Sequence, residues 1–410
     1  MRFDRNNLRK VLRSPLLVTG RIASIAVKRD PQLWVFGSGI GFGEGGVALS
    51  HAASEAGLRV IWLSNRRAGI GAAKAAGFRA ERAGSLRGWW HTLRAGTLVV
   101  SHGLGDVNPY AQQGAQIIQL WHGVPLKHLH RDAGVTYALP KFPGSRLAER
   151  MLRAGSERAY RSITHFVAAS DESGRRLASA FGLRPEQVLV AGDPRDDVLL
   201  HGTDAERRRA ARVLVETALG AELATGALAE RVLLFAPTWR DGQADPVVPT
   251  IEEWDALELA AADLGMSVLI RPHPLAIGAY RAGLQGRSGL FLLDVAKVAD
   301  ITPVLPVADV LITDYSSIAY DFALLARPML YLTPDLEQYA ASRGFYESIE
   351  VFCGGSPART WHDVLQQLRA LDDSATRDAA VAHARETAAR VHGFFDGQNT
   401  RRVLEAALAR

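Results

Sequence analysis

The chain has 410 residues, 48% hydrophobic and 22% charged, with a net charge of +5. This length predicts two or three domains, each large enough to bury a core, and the charge favours anionic partners. The single cysteine, Cys353, excludes an internal disulfide and a cysteine-based zinc site. No run approaches the roughly 18 apolar residues that a transmembrane helix needs.

The first 18 residues are basic and end in a short apolar run, Leu16–Val18. That run is too short for a secretory signal. One interpretation of residues 1–30 is an amphipathic arm that lies on an anionic membrane surface. The other is a solvated, frayed terminus. The basic side chains are Arg2, Arg5, Arg9, Lys10 and Arg13.

The first strands predict a parallel α/β sheet. An apolar strand, Leu33–Phe36, leads through a glycine-rich turn into a helix, Val47–Ala56, and a second strand, Val60–Leu63. Residues 41–46 satisfy the GxGxxG pattern of dinucleotide-binding proteins, but the acidic residue expected after the second strand is missing. We therefore interpret the turn as a place where backbone closely approaches a ligand or a facing domain.

The rest of the chain repeats the alternation of strands and helices. Further strands are predicted at Leu98–Ser101, Ile117–Trp121, His165–Ala168, Val188–Val190, Val232–Ala236, Val268–Ile270, Leu290–Leu293, Val310–Ile312 and Met329–Leu332. A polar helix, Thr203–Leu219, marks a boundary near residues 198–230. We expect an arm (1–30), an N-terminal Rossmann-like domain (31–200) and a C-terminal one (201–410), with terminal helices that pack back on the first domain. The fold class is α/β, with two domains facing a central cleft.

Polar residues follow the strand that ends at Ile312 and precede a helix that carries Phe322 and Leu325. Thr313, Ser316 and Ser317 supply hydroxyls there, and a helix start supplies N–H groups and a positive dipole end. The pattern favours a phosphate site. A simple N-cap by Asp314 or Ser316 is the alternative.

Other predicted strand ends carry residues of the same chemistry. Arginines bind phosphate in a bidentate manner, hydroxyls donate to it, and imidazoles transfer protons near neutral pH. Together they predict a pyrophosphate site with proton-transfer groups, although His122 beside Trp121 is also compatible with a buried structural histidine. These residues are His122, Arg195, Thr238, Arg240, Arg271, His273, Thr313, Ser316 and Ser317.

Motifs for metal and nucleotide-metal binding are missing. His122, His128 and His130 follow no standard ligand spacing, and neither a Walker A sequence nor an Asp-x-Asp pair occurs. We expect no metal, no cofactor and no nucleic-acid partner.

Five ordered motifs resemble those of the CDP-glycerol glycerophosphotransferase family, which contains teichoic-acid and capsule polymerases. Residues 119–127 resemble its WHGxPLK motif and residues 192–197 its GxPRND motif, with Asp196 in place of the Asn. Residues 236–241 resemble APTWRD, residues 271–274 match RxHP, and residues 312–325 match ITDYSSxxxDFALL. Residues 343–346 and 396–399 also fit, so the resemblance spans roughly Gly37 to Val403.

The resemblance implies a GT-B-type fold and a peripheral enzyme on the cytoplasmic side of the membrane. It implies that His122 is the catalytic base and His273 a second essential histidine. The CDP-glycerol site would be lined by Gly123, Val124, Pro125, Leu126, Arg195, Pro237, Thr238, Arg271, Pro272, His273, Ser316, Ser317 and Asp321, to which strand-end chemistry adds Arg240 and Thr313. From the residues alone, Asp321 is equally compatible with the helix surface.

The expected reaction is transfer of glycerol phosphate from CDP-glycerol to a hydroxyl of a lipid-linked or polymeric acceptor, with release of CMP. Three alternatives remain open: a CDP-ribitol enzyme, a GT-B glycosyltransferase that uses a nucleotide-sugar, and a catalytically silent binding module.

Overall fold

The structure is a computed structural model. It describes the chain except residues 1–19, 21, 134–149, 151–154, 156, 226–227, 241–244 and 410. Most of the predicted N-terminal arm lies outside the described residues. The described part divides into two compact units. Unit 1 contains the described residues up to His122, those of Leu129–Asp197 and those from His392 onward, and unit 2 contains Gly123–His128 and Val198–Val391.

Unit 1 is built on a seven-stranded sheet in which every pair of neighbouring strands is parallel, in the order β3-β2-β1-β4-β5-β6-β7. Its strands are β1 (Asp30–Gly37), β2 (Arg59–Ser64), β3 (Arg79–Arg82), β4 (Ala95–Val100), β5 (Gln116–Gln119), β6 (His165–Ala168) and β7 (Val188–Val190). Its helices are α1 (Gly45–Glu55), α2 (Arg67–Ala75), α3 (Leu86–Arg94), α4 (Asp171–Phe181) and, near the C-terminus, Asn399–Leu408.

The central strands of unit 1 are apolar because helices cover both faces of the sheet. Side chains alternate between two cores along β1: Leu33 and Val35 join one cluster, and Trp34 and Phe36 join the other. The C-terminal helix belongs to the second cluster through Val403.

Unit 2 contains a five-stranded parallel sheet in the order β10-β9-β8-β11-β12. Its strands are β8 (Arg231–Ala236), β9 (Met266–Ile270), β10 (Leu290–Leu292), β11 (Val310–Thr313) and β12 (Met329–Tyr331). Its helices follow a short segment, α5 (Asp197–Leu200), at the unit boundary. They are α6 (Asp204–Leu219), α7 (Ile251–Asp263), α8 (Ile277–Gly283), α9 (Ile318–Ala323), α10 (Leu336–Arg343), α11 (Ile349–Cys353), α12 (Trp361–Ala370) and α13 (Ser374–Val391); the C-terminal helix is α14.

Several helices of unit 2 begin at capping boxes that can be read from the sequence. The Thr203 hydroxyl oxygen accepts a hydrogen bond from the Glu206 backbone N–H, and the Glu206 carboxylate accepts one from the Thr203 backbone N–H. The same exchange joins Thr250 with Glu253. These reciprocal bonds fix the starts of α6 and α7. Within the described residues, no helix is both long and apolar enough to cross a bilayer.

The prediction of two Rossmann-like α/β halves agrees with these sheets. The units are interleaved along the sequence, because Gly123–His128 belongs to unit 2 and the residues from His392 belong to unit 1. The central cleft stays a prediction.

Candidate functional site

Three neighbouring strands of unit 1 end at one edge of the sheet and place two histidines there. Strands β1, β4 and β5 are adjacent and parallel, so their carboxyl ends meet. Ser38 follows β1, His102 follows β4 and His122 follows β5. The two imidazole rings stack with centroids 4.6 Å apart and an angle of 7° between their planes.

His102 is held by the glycine-rich turn after β1. The backbone N–H of Gly39 donates to its Nδ1 at 3.2 Å, and Glu44 Oε2 lies 3.5 Å from the same nitrogen. Gly39 is required there, because an added Cβ would lie 2.9 Å from the imidazole. Burial, followed by the positive charges of Arg66 and Arg195, lowers the pKa of His102 to about 4. The ring is therefore neutral at neutral pH.

His122 follows a residue in a strained conformation. Trp121 has a φ of 66°, which is unfavourable for a bulky side chain, and it packs against Phe181 in the core. Nδ1 of His122 is buried and has no hydrogen-bond partner among the described residues. Burial, then the charges of His102 and Arg195, lower the pKa of His122 to about 3. A backbone hydrogen bond with Ser101 acts to raise this pKa but does not offset burial, so the imidazole is neutral at neutral pH.

Arg195 belongs to the 3₁₀ turn Pro194–Asp196 and is buried in unit 1. Its Nε donates to Asp193 Oδ2 at 3.0 Å. An added Cβ on Gly45, at the start of α1, would lie 3.1 Å from the Arg195 backbone nitrogen. The glycine-rich turn therefore brings backbone close to the Arg195 loop. The positive charge of Arg195 lowers the pKa of both His102 and His122.

The same loop anchors the C-terminal helix. Asp197 accepts hydrogen bonds from the backbone N–H groups of Asn399 and Thr400, and Asn399 Nδ2 donates to the Asp193 carbonyl. Asp196, which replaces the family's Asn, is buried 3.4 Å from His392 Nδ1. Residues 192–197 and 396–399, which looked like separate motifs in the sequence, therefore form one structural element.

The predicted site residues Gly123, Val124, Pro125 and Leu126 belong to unit 2. Val124, Pro125 and Leu126 are buried, and the Leu126 carbonyl accepts from Tyr346 N at 2.9 Å. Ligand contacts of these four residues stay a prediction.

Unit 2 gathers most of the remaining predicted residues at the carboxyl edge of its sheet. Strands β9, β8 and β11 are neighbours. Arg271, Pro272 and His273 follow β9, Pro237 and Thr238 follow β8, and Ser316 and Ser317 follow β11. The topology thus brings together two hydroxyl-bearing segments and the Arg-x-His segment, as strand-end reasoning predicts.

The serines themselves differ from the predicted cradle. The helix α9 that they precede has only six residues, and the N–H groups of Ala319 and Tyr320 donate to the Ser316 and Ser317 carbonyls. Those two donors are therefore used inside the turn. Both serine side chains are partly exposed, and an anion contact through their hydroxyls stays a prediction.

Asp314 and Arg240 hold the edge of unit 2 together. Asp314 accepts from the Thr238 backbone N–H at 2.9 Å and from Arg240 Nη1 at 2.8 Å. Asp335 accepts from Arg240 Nε at 2.7 Å and from Nη2 at 3.0 Å. Burial acts to lower the pKa of Arg240, but Asp335 and Asp314 raise it above its ordinary value. With most of its donors used in this way, Arg240 has a clear structural role.

Three other predicted residues are also engaged with the protein. Thr313 is fully buried and donates to the Ala236 carbonyl at 2.7 Å, Arg271 donates to the carbonyls of Leu293 and Val298, and Asp321 is buried. Burial lowers the pKa of Arg271 to about 10, so the guanidinium stays charged at neutral pH. Ligand contacts of these residues stay a prediction.

His273 is exposed and oriented by two contacts. Its Nδ1 accepts from the Leu275 backbone N–H at 3.3 Å, and its ring stacks on Trp239 at 5.4 Å with an interplanar angle of 19°. Because a backbone N–H only donates, the neutral ring carries its proton on Nε2. Partial desolvation of the ring by its surroundings, followed by the charge of Lys127, lowers the pKa of His273. A nearby phosphate would raise this pKa again and favour the charged donor form.

Sequence reasoning did not include His102, Glu44 or Lys127 among the site residues. His102 follows a strand in the same way as His122, which was the available signal. Lys127 is the last residue of the segment 119–127 that resembles WHGxPLK, which was the available signal, whereas the position of Glu44 beside His102 depends on contacts across the fold. Among the described residues, no group of three or more His, Cys, Asp or Glu side chains is arranged to hold a metal ion.

Comparison with known proteins identifies the family. Residues 46–409 match the family described as CDP-Glycerol:Poly(glycerophosphate) glycerophosphotransferase. The chain belongs to this family. It is 29% identical over 211 residues to the teichoic acid ribitol-phosphate polymerase TarK of Staphylococcus aureus, covering 51% of this chain and 39% of the relative. It is 30% identical over 233 residues to the teichoic acid poly(glycerol phosphate) polymerase of Staphylococcus epidermidis, covering 56% of this chain and 30% of that relative. The chain thus spans less than half the length of either relative.

Among solved structures, the wall teichoic acid polymerase TagF matches with a TM-score of 0.77 at 22% identity, over 99% of this chain and 98% of that one. A His-to-Asn variant of TagF has also been solved after soaking with CDPG. Together with the two parallel sheets, the match confirms the predicted α/β, GT-B-like fold class.

Proposed function

We propose that this family member transfers glycerol phosphate from CDP-glycerol to a hydroxyl of a lipid-linked or polymeric teichoic-acid acceptor and releases CMP. The observation that carries the proposal is the family match over residues 46–409. The pairing of neutral imidazoles with cationic and hydroxyl groups at two strand edges supports it, because phosphoryl transfer needs positioning, charge stabilisation and a base.

In the proposed reaction, the acceptor oxygen attacks the β-phosphorus of CDP-glycerol. A new P–O bond forms to the acceptor, and the P–O bond to CMP breaks. His122 accepts the hydroxyl proton, which its neutral state supports. His273, Arg271, Ser316 and Ser317 stabilise the negative charge that develops on the phosphate oxygens and on the leaving CMP.

The test of the base role is His122→Ala, with CMP release followed by chromatography. General-base removal typically costs about 10²- to 10⁴-fold in rate, and we expect at least that loss while CDP-glycerol still binds. His201→Ala, at an exposed histidine of unit 2, is the control. Wild-type turnover by the His122 variant would reject the base role.

The ribitol donor is a second candidate, because one matched relative is a ribitol-phosphate polymerase and another a poly(glycerol phosphate) polymerase. Equal concentrations of CDP-glycerol and CDP-ribitol, each offered with the same acceptor, separate the two. Release of CMP mainly from CDP-ribitol would move the proposal to that donor. Release of UDP from UDP-sugars with no CMP from either donor would replace it with a glycosyltransferase.

We also propose that the enzyme works at the cytoplasmic face of the membrane through its basic N-terminal arm, residues 1–30. The arm's charge and its short apolar run support this placement. Pelleting with phosphatidylglycerol vesicles should fall when residues 1–18 are removed and should weaken at high salt. Unchanged pelleting of the truncated protein would contradict it.

A further inference from the structure

Lys127 is a charged residue of unit 2 to which the reaction above gives no role. Its segment is fixed by backbone pairing: Lys127 forms an antiparallel bridge with Phe345, and the His128 N–H donates to the Gly344 carbonyl at 3.1 Å. Gly344 has a φ of 69°, and an added Cβ would lie 2.4 Å from His128 Nδ1. The structure therefore positions Lys127 through a contact that requires glycine at 344.

The ammonium group of Lys127 lies at the edge that carries the serines. Nζ is 5.9 Å from the centre of the Tyr339 ring, and Tyr339 stacks on Tyr315 at 4.2 Å. Tyr315 directly precedes Ser316 and Ser317. The side chain of Lys127 is partly buried, and within the described residues it makes no hydrogen bond or ion pair.

The acidic groups nearby are already used by other residues. Asp314 is bonded to Thr238 and Arg240, and Asp335 is bonded to Arg240 and Tyr315. A partly buried cation without an anionic partner is unfavourable, and an anionic ligand would remove that cost.

We propose that Lys127 binds phosphate oxygens of the nucleotide diphosphate at the carboxyl edge of unit 2. This inference rests on the proposed function for the identity of the donor, but not on the transfer step. In this proposal, the Lys127 ammonium supplies a positive charge to the phosphate, and the hydroxyls of Ser316 and Ser317 and the imidazole of His273 supply further contacts.

The electrostatics of Lys127 give the proposal a pH signature. Burial lowers the pKa of Lys127 to about 8, Asp314 acts to raise it, and Arg343 and Arg240 lower it further. The other groups that face the ammonium are Tyr339 and His273. A terminal phosphate has a second pKa near about 6 and is fully ionised at pH 8. The affinity for a diphosphate should therefore fall as pH rises above about 8, because the lysine loses its proton.

The experiment measures binding by isothermal titration calorimetry with CDP, UDP, pyrophosphate and cytidine as probes. Lys127→Met should weaken CDP binding by about 10- to 100-fold, which corresponds to one lost charge-assisted contact, and should leave cytidine binding unchanged. Lys74→Met, which removes the same charge from an exposed helix position in unit 1, should bind as the wild type does. Lys127→Arg should retain CDP binding and lose the decline above pH 8.

Three outcomes would overturn the proposal. The first is that Lys127→Met binds CDP with wild-type affinity. The second is that Lys127→Met loses affinity for cytidine and for CDP equally. The third is that the wild-type protein binds none of CDP, UDP and pyrophosphate. Failure of the proposed function is distinguishable, because it appears as absent CMP release from CDP-glycerol while the Lys127-dependent binding of CDP, UDP or pyrophosphate persists. Circular dichroism of each variant separates lost binding from lost folding.

Discussion

Acidification should destabilise unit 1 through its buried histidines. The pKa of His102 is lowered to about 4, that of His122 to about 3 and that of His130 to about 4, in each case first by burial. The unfolded chain binds these protons near pH 6.5, so between about pH 6.5 and 4 it holds more protons than the folded state. The contribution of these histidines to the free energy of unfolding is therefore fully present above pH 6.5 and is lost as pH falls.

The size of the effect follows from the linkage relation. Between pH 7.5 and 5, one ring with a folded pKa near 4 loses about 2 kcal/mol, and three rings lose at most about 6 kcal/mol. Asp106 opposes this, because burial raises its pKa to about 6 although three backbone N–H groups donate to it, which restores about 1 kcal/mol. Solvent screening at the partly exposed rings reduces the sum, so we expect a net loss of about 2–4 kcal/mol.

The assay is urea unfolding followed by tryptophan fluorescence at pH 7.5 and 5, for wild type and His102→Asn. An Asn side-chain oxygen can still accept the Gly39 N–H, so the variant removes the titrating group and keeps the hydrogen bond. After the same discount for solvent screening, the stability difference between the two pH values should shrink by about 1 kcal/mol in this variant. His201→Asn, at an exposed position, should leave it unchanged. An identical pH dependence in wild type and His102→Asn would refute the reasoning.

Two further substitutions test the assignment of structural roles. Thr313→Val removes the hydroxyl that donates to the Ala236 carbonyl at 2.7 Å. We expect the free energy of unfolding to fall by about 1–2 kcal/mol in thermal unfolding, with an unchanged KM for CDP-glycerol. A raised KM at normal stability would make Thr313 a ligand contact. Gly192→Ala places a Cβ 2.0 Å from Asn399 Oδ1, at a residue whose φ is 81°. We expect about 1–3 kcal/mol of destabilisation, and slower turnover because the Arg195 loop is displaced. A variant with the wild-type melting temperature and rate would show that the loop adapts.

The positions of most strands follow from information that the sequence displays well. Apolar runs such as Leu33–Phe36 and Val310–Ile312 lie inside β1 and β11, because strands buried on both faces need continuous apolar sequence. Strand β3, Arg79–Arg82, is different: it has a polar sequence and lies at the sheet edge, where one side has no partner strand. Its pairing with β2 depends on the fold and has no local signal.

The candidate site shows the same division between local and long-range information. Residues that follow strands, such as His122 and His273, are identifiable because the carboxyl edge of a parallel sheet is a binding edge. The stacking of His102 on His122 and the position of Lys127 beside Tyr339 depend on contacts between segments far apart in the chain. Residue type and spacing carry no information about such contacts.

Asp314 shows why a motif residue need not contact the ligand. It lies at the centre of the serine motif, but its carboxylate is buried and bonded to the Thr238 backbone and to Arg240, which also bonds Asp335. Removing the carboxylate would leave a buried guanidinium with one acid where it now has two, and breaking a buried ion pair is costly for that reason. The same substitution would remove the acceptor of the hydrogen bond from the Thr238 backbone N–H, which holds the chain just after β8. Asp314 thus holds in place the residues that surround Ser316 and Ser317. A motif match alone therefore does not separate residues that bind the donor from residues that hold the edge in shape.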